Sequence, residues 1–118
     1  MRTMLAGKIH RARVSEANLD YGVSITIDRL LMEAADILPY ERVEVLNINN
    51  GARFGTYAIS GEKNSGVICL NGAAARLAMK NDPVIALSYR EVSDSEAVTI
   101  TPHIVYVDSQ NRVLPKRA

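Results

Sequence analysis

The sequence has no tryptophan, one phenylalanine and one cysteine, and its charges nearly cancel. A single cysteine, Cys69, excludes an internal disulfide and is typical of a reducing compartment. Its apolar neighbours indicate a small core residue rather than a nucleophile. With 14 basic against 13 acidic side chains, the net charge of +1 favours no nucleic-acid partner.

Long apolar runs are also missing. Runs such as residues 84–87 have the length of a strand, far below the roughly 20 residues that a membrane helix needs. The first residues lack the apolar core of a signal peptide, so we expect a cytoplasmic protein that does not associate with membranes. His10 and His103 are isolated and far apart in the sequence. We therefore expect no metal site.

Strand-length segments rich in β-branched residues dominate the rest of the chain. At 118 residues and 47% hydrophobic composition, we expect one mainly β domain over residues 1–118. Short helices are predicted after Asp28, ending before Pro39, and at residues 72–79. Asn and Gly at positions 49–51 predict a hairpin turn. The predicted strands are 4–14, 24–27, 42–48, 53–59, 67–70, 84–92 and 104–108.

Two strands carry pairs of candidate functional residues. Lys8 and His10 are two residues apart and so share a strand face, where an ammonium could pair with a carboxylate. Arg53 and Tyr57 share a face of a later strand, about 13 Å apart. The guanidinium could hold a carboxylate, and the phenol could return a proton to carbon. Ordinary roles stay open, namely a solvated face for the cations and a packed aromatic for Tyr57.

Two further segments centre on Ser24 and Asn71. Ser24 lies on the polar face of its predicted strand, where a solvated serine would be ordinary. By its local sequence Asn71 could cap the helix that follows. The small residues after it would let an anion approach the free amides of that helix; they are Gly72, Ala73, Ala74 and Ala75.

These four segments, in this order and at these separations, resemble the bacterial pyruvoyl-dependent aspartate 1-decarboxylases from about residue 4 to about residue 111. The resemblance implies a double-psi β-barrel with short helices, assembled as a homotetramer. It implies conversion of L-aspartate to β-alanine and CO2 in pantothenate synthesis, through a Schiff base with a pyruvoyl group. No ordinary side chain offers the electrophilic carbonyl that this reaction needs.

The resemblance also implies a role for each candidate residue. The chain would cleave itself between Val23 and Ser24 into residues 1–23 and 24–118, and Ser24 would become the pyruvoyl group. Thr56 and Asn71 would assist this cleavage. Catalysis would need Ser24 and Tyr57. The implied substrate-binding residues are Lys8, Arg53, Gly72, Ala73, Ala74 and Ala75, and His10 and Tyr21 would line the site.

One residue departs from the pattern of this family. The usual residue before the serine is glycine, whereas this chain has Val23, preceded by Gly22. A β-branched valine does not accept the strained backbone that glycine tolerates, so we expect slower self-cleavage. The alternative hypothesis is an unprocessed, inactive barrel that serves as a binding or structural module.

Overall fold

The computed structural model describes residues 1–19 and 22–115, and the strands in these ranges form one eight-stranded sheet. Its order is β2-β6-β3-β5-β4-β7-β1-β8. A 3₁₀ helix at Gly72–Arg76 links β6 to β7. The other elements are β1 (Arg2–Arg13), β2 (Glu16–Asn18), β3 (Ser24–Asp28), α1 (Arg29–Ala35), β4 (Arg42–Asn47), β5 (Arg53–Gly61), β6 (Ile68–Asn71), β7 (Pro83–Val92), α2 (Asp94–Ala97) and β8 (His103–Tyr106).

The sheet closes on itself because β1 and β2 are one run of chain. β1 pairs antiparallel with β7, whereas β2 pairs parallel with β6. Only Val14 and Ser15 separate β1 from β2, and the Ser15 amide already donates to the Ile68 carbonyl at 2.9 Å. Closure removes unpaired strand edges. The prediction of a mainly β barrel with short helices is confirmed.

The core of the barrel comes from the inward face of each strand. Alternate residues of β3 and β4 are fully buried, among them Ile25, Ile27, Val43 and Val45. Each such side chain contributes roughly 1.5–3 kcal/mol of burial free energy. The helix α1 adds the buried side chains Leu31, Met32 and Ala35.

Asp28 fixes the junction between β3 and α1. Its carboxylate is buried and accepts from the backbone amides of Leu30 at 2.9 Å, Asn64 at 2.9 Å and Gly66 at 2.8 Å. One side chain thus caps α1, as predicted, and also ties down the loop before β6. This loop connection was not foreseen from the sequence.

We expect Asp28→Ala to lower the free energy of unfolding by about 3 kcal/mol, because three backbone amides lose a charged acceptor. Urea unfolding followed by circular dichroism measures this loss. Asp94→Ala is the matched control, because Asp94 pairs with Arg2 at 2.9 Å on the exposed surface. Such exposed pairs contribute about 0–1 kcal/mol. Equal losses in the two variants would contradict the role given to Asp28.

The helix α1 ends earlier than predicted. The spacing of apolar residues suggested a helix up to Pro39, but α1 stops at Ala35 because Asp36 takes a left-handed conformation with φ of 56°. The amide of Ile37 then bonds back to the Met32 carbonyl at 2.8 Å. Ile37 is buried beside the helix end, which explains why its apolar character continued the helical pattern.

The other predicted boundaries are close to those observed. All seven predicted strands are present within two residues at each end, and Pro83 begins β7 as its missing amide proton requires. The turn at 49–51 joins β4 to β5, with Gly51 at φ of 73°. The short elements β2 and α2 were missed, and the predicted helix at 72–79 is the shorter 3₁₀ helix. No helix in the described ranges has the length and apolar character to cross a membrane.

Candidate active site

Ser24 begins β3 and is buried, with only 2% of its surface exposed. It lies directly opposite Asn71 in the antiparallel pairing of β3 with β6. The Asn71 Nδ2 donates to Ser24 Oγ at 2.9 Å and to Thr26 Oγ1 at 3.0 Å. Ser24 and Thr26 share a face, as their alternation predicted. The ordinary interpretation of Ser24 as a solvated strand residue is therefore wrong.

Asn71 does not cap the helix that follows it. No side-chain hydrogen bond caps Gly72–Arg76. The Asn71 Nδ2 donates to the two hydroxyls of β3, and its Oδ1, the atom that a cap would use, lies 3.3 Å from Cys69 Sγ. Of the two roles considered for Asn71, the structure supports the one beside Ser24. Gly72 follows at φ of 64° and turns the chain sharply away from the strand.

The residue before Ser24 lies at the surface. Val23 is 47% exposed, and its φ is not in the left-handed region. Ser24 Oγ lies 3.5 Å from the Gly22 carbonyl oxygen, which is too long to hold the hydroxyl proton firmly. Tyr21, predicted to line the site, lies outside the described residues.

Tyr57 lies beside Ser24 on the neighbouring strand. β5 runs parallel to β3 with Ala58 opposite Ile25, so extending the register by one residue puts Tyr57 level with Ser24. Residues level with each other share a face of the sheet. Tyr57 is 40% exposed, and its ring centroid lies 6.5 Å from that of Tyr40. The phenol is thus accessible on the face that carries Ser24.

Thr56 occupies the opposite face of β5. It alternates with Tyr57 and so points to the same side as the buried Ala58. Its hydroxyl is buried and has no hydrogen-bond partner within the described ranges. No hydrogen bond in the same part of the chain joins it to Ser24. Burying a hydroxyl without a hydrogen-bond partner costs free energy. The Thr56 hydroxyl is therefore a candidate to form a hydrogen bond with a group that arises during a reaction.

Arg53 lies on the exposed face of β5, as predicted, and forms an ion pair. Its Nε lies 2.6 Å from Glu44 Oε1 on β4. This hydrogen bond raises the pKa of Arg53 and lowers the pKa of Glu44. The guanidinium therefore has an acidic partner already, and a substrate carboxylate would have to share it.

Arg42 is a cation near Tyr57 that sequence reasoning missed. It pairs directly with Tyr57 across β4 and β5. Its guanidinium lies over Gly55, where a Cβ atom would be 3.3 Å from Nη2. With Glu44 and Tyr89 it lines a cavity of about 320 Å³. The register of the hairpin, predictable from the turn at 49–51, could have revealed this neighbour of Tyr57.

Lys8 shares the outer face of the sheet but lies on β1, which pairs with β7 and β8 and not with the strand of Ser24. The pairings of β7 and β4 connect β1 to β5. Lys8 lies opposite Leu87, and Leu87 lies opposite Glu44. Glu44 in turn lies opposite Gly55, which stands between Arg53 and Tyr57 on β5. In the order of the sheet β1 is three strands from β5 and four from β3.

His10 lies further along the same face of β1 and is half-buried. Its ring packs edge-on against Tyr106, with centroids 5.5 Å apart and an interplanar angle of 70°. It lines a separate cavity of about 340 Å³ with Arg11 and Arg13. The prediction that Lys8 and His10 share a face agrees with the strand.

The segment after Asn71 is small and close to Ser24, but it is not an α-helix. Gly72 and Ala74 are buried, Ala75 is half-buried and Ala73 is exposed. A 3₁₀ helix of five residues lacks the summed dipole that was expected to attract an anion. The described residues hold no group of three or more histidine, cysteine and acidic side chains that could bind a metal ion.

Comparisons with known proteins agree with this geometry. The sequence profile of the aspartate decarboxylase family matches residues 1–114. An aspartate 1-decarboxylase from Thermoanaerobacter pseudethanolicus is 59% identical over 111 residues, which cover 94% of this chain and 95% of that protein. One from Pelotomaculum thermopropionicum is 59% identical over 98% of this chain and 87% of its own length. One from Dehalococcoides mccartyi is 56% identical over 93% and 89%.

The match over nearly the whole chain and the pairing of Ser24 with Asn71 lead to one conclusion. This chain belongs to the aspartate decarboxylase family.

Proposed function

We propose that this protein converts L-aspartate to β-alanine and CO2 in pantothenate biosynthesis, after cleaving itself between Val23 and Ser24. The observation that carries the proposal is the buried Ser24 hydroxyl, held at 2.9 Å by Asn71 next to the exposed residue Val23. A serine with a purely structural role needs no such combination. Relatives named aspartate 1-decarboxylase support the substrate and the reaction.

Self-cleavage begins with a shift of the Val23 acyl group. Ser24 Oγ attacks the Val23 carbonyl carbon, the C–N bond breaks, and the hydroxyl proton passes to the Ser24 nitrogen, which leaves an ester. The Asn71 amide holds Oγ in place for this attack. The family resemblance assigns Thr56 to the oxyanion that develops, and its buried hydroxyl without a partner in the described part of the chain is free to donate if it turns from its present face of β5.

Elimination and hydrolysis complete the cleavage. The Cα proton of Ser24 is removed, the Cβ–Oγ bond breaks, and Val23 leaves as a carboxylate. Water then replaces the nitrogen of residue 24, which departs as ammonia, so the chain 24–118 begins with a pyruvoyl group. The residues present fit this group, because Asn71 Nδ2 already donates a hydrogen bond to an oxygen of residue 24.

The pyruvoyl carbonyl supplies the electron sink for the pair of electrons that departing CO2 leaves behind. The chain's own residues bind and protonate the substrate. Arg53 and Arg42 lie on either side of Tyr57 on the exposed face and can balance the two carboxylates of aspartate. The Tyr57 phenol, level with position 24, can return a proton to the α-carbon.

We also propose that the site is completed in a homotetramer. Lys8 lies on β1, which does not pair with the strand of Ser24, and we assign its ammonium to the site of another copy. Large apolar side chains are exposed around the site, among them Leu19, Val23, Tyr40 and Tyr57. Contact with a second copy would cover them and exclude water. The number four comes from the family resemblance.

Two further statements follow from the proposal. The buried, free Cys69 fits the reducing cytoplasm in which we place the reaction. The alternative of an inactive barrel gains no support from the comparisons.

The test is a substrate panel on purified, aged protein. We expect release of CO2 and formation of β-alanine from L-aspartate, and none of either from D-aspartate or L-glutamate. Cleaved protein that is inactive on L-aspartate but active on another amino acid would overturn the substrate. Uncleaved protein without any activity would support the inactive barrel.

We expect Tyr57→Phe to lower kcat about a hundredfold and to leave self-cleavage unchanged, because the phenol acts only on the substrate. The turnover of L-aspartate and the intact mass are measured on the same sample. Tyr40→Phe is the matched control, since it removes the hydroxyl of the neighbouring ring. A Tyr57→Phe variant with normal turnover would exclude the phenol as the proton donor.

A further inference from the structure

Cys69 closes a buried chain of hydrogen bonds that ends at Ser24. It lies two residues before Asn71 on β6, shares its face, and is 6% exposed. Cys69 Sγ is 3.3 Å from Asn71 Oδ1, whereas the other acceptor near it, the Leu70 carbonyl, is 3.9 Å away. Asn71 Nδ2 donates to Ser24 and Thr26. The Asn71 amide is therefore held at its oxygen and at its nitrogen.

The partner of Oδ1 decides which way this amide points. A carboxamide fits its site in two orientations that exchange oxygen and nitrogen. In the observed orientation Ser24 Oγ accepts a hydrogen bond and stays free to attack. In the flipped orientation Oδ1 would instead accept the Ser24 proton and bind the nucleophile as a donor. A thiol donor beside Oδ1 favours the first orientation.

The thiol keeps its proton in this environment. Burial raises the pKa of Cys69, and the negative charge of Glu16 raises it further. A protonated sulfur is a donor, although a weak one.

We propose that Cys69 is a positioning residue for self-cleavage, whose thiol donates to Asn71 Oδ1 and so aims Asn71 Nδ2 at Ser24 Oγ. It is not a catalytic residue, because its sulfur contacts Asn71 rather than the reacting atoms. The inference rests on the proposed self-cleavage and adds to it a residue that acts through Asn71. It also gives a function to a cysteine that the sequence indicated was only a core residue.

The first test compares cleavage rates among three variants, measured by the time course of the 24–118 fragment in mass spectrometry. Cys69→Ser keeps a donor and should cleave within about threefold of the wild-type rate. Cys69→Ala loses the donor and should cleave about tenfold more slowly. Ile68→Val is the matched control, because it also trims a buried side chain of β6, and it should cleave at the wild-type rate. Melting temperatures confirm that all are folded.

The second test does not depend on cleavage. In a Ser24→Ala background, Thr26 still accepts from Asn71, and NMR measures the solvent exchange of the Asn71 side-chain amide protons. Adding Cys69→Ala should speed this exchange several-fold, and adding Cys69→Ser should not.

The outcomes separate the inference from the proposed function. If Cys69→Ala cleaves as fast as the wild type, the inference is overturned and the function stands. If Cys69→Ser and Ile68→Val both cleave as slowly as Cys69→Ala, the loss of packing rather than of the hydrogen bond explains the slower cleavage. The inference is again overturned. If even the wild type never cleaves, the proposed function fails, and amide exchange alone decides whether Cys69 orients Asn71.

Discussion

Replacing Ser24 by alanine is expected to leave one chain of 118 residues that releases no CO2 from L-aspartate. Alanine has no oxygen to attack the Val23 carbonyl, so neither the ester nor the new carbonyl can form. Self-cleavage and the release of CO2 should both fall below detection, since no other group in the chain supplies the electron sink for decarboxylation. Intact-mass measurement and an aspartate assay on the same preparation give the two readouts.

The matched control is Ser60→Ala, which removes an exposed serine hydroxyl near the end of β5. It should cleave and turn over like the wild type. Circular dichroism should show that both variants are folded, because Ser24 loses only its contact with Asn71, and Asn71 keeps Thr26. Residual turnover in an uncleaved Ser24→Ala variant would mean that the electron sink comes from elsewhere.

Replacing Val23 by glycine is expected to speed self-cleavage at least about tenfold. The acyl shift must rotate the carbonyl of residue 23 toward Oγ, and conformations outside the common backbone regions cost a β-branched residue about 1–2 kcal/mol more than glycine. In the precursor Val23 keeps a φ outside the left-handed region. The rate of appearance of the fragment 1–23 measures the effect.

The variant Gly22→Ala distinguishes the contribution of residue 22 to the cleavage rate from that of residue 23. A Cβ at residue 22 would meet no atom of the described residues within 4 Å, its chain neighbours aside, so we expect a change in rate there to reflect backbone freedom. We expect little change, because the carbonyl under attack belongs to residue 23. The contrary result is a Val23→Gly variant that cleaves no faster than the wild type together with a Gly22→Ala variant that cleaves more slowly. Gly22 would then have the role that the glycine directly before the serine has in the rest of the family.

Elements set by local patterns could be predicted from the sequence. Strand alternation gave the shared face of Ser24 and Thr26, and the Asn-Gly turn gave the pairing of β4 with β5. Asp28 was recognised as a cap because a carboxylate before an apolar helical pattern has few other uses. The three-residue strand β2 was missed, because so short a segment shows no periodicity and exists only through its pairing with β6.

The contacts that define the site depend on which strands become neighbours. Asn71 looked like a helix cap from its local sequence, and only the pairing of β6 with β3 turns its amide toward Ser24. Arg53 looked free to bind a carboxylate, but β4 brings Glu44 within 2.6 Å of it. Long-range register of this kind cannot be read from spacing along one strand.

The most direct test of self-cleavage is the intact mass of the purified wild-type protein after prolonged incubation. We predict two chains, residues 1–23 ending in a free Val23 carboxylate and residues 24–118 lighter by one ammonia than a chain with an N-terminal serine. A single chain of full length would contradict the account, as would a 24–118 fragment that retains its serine nitrogen.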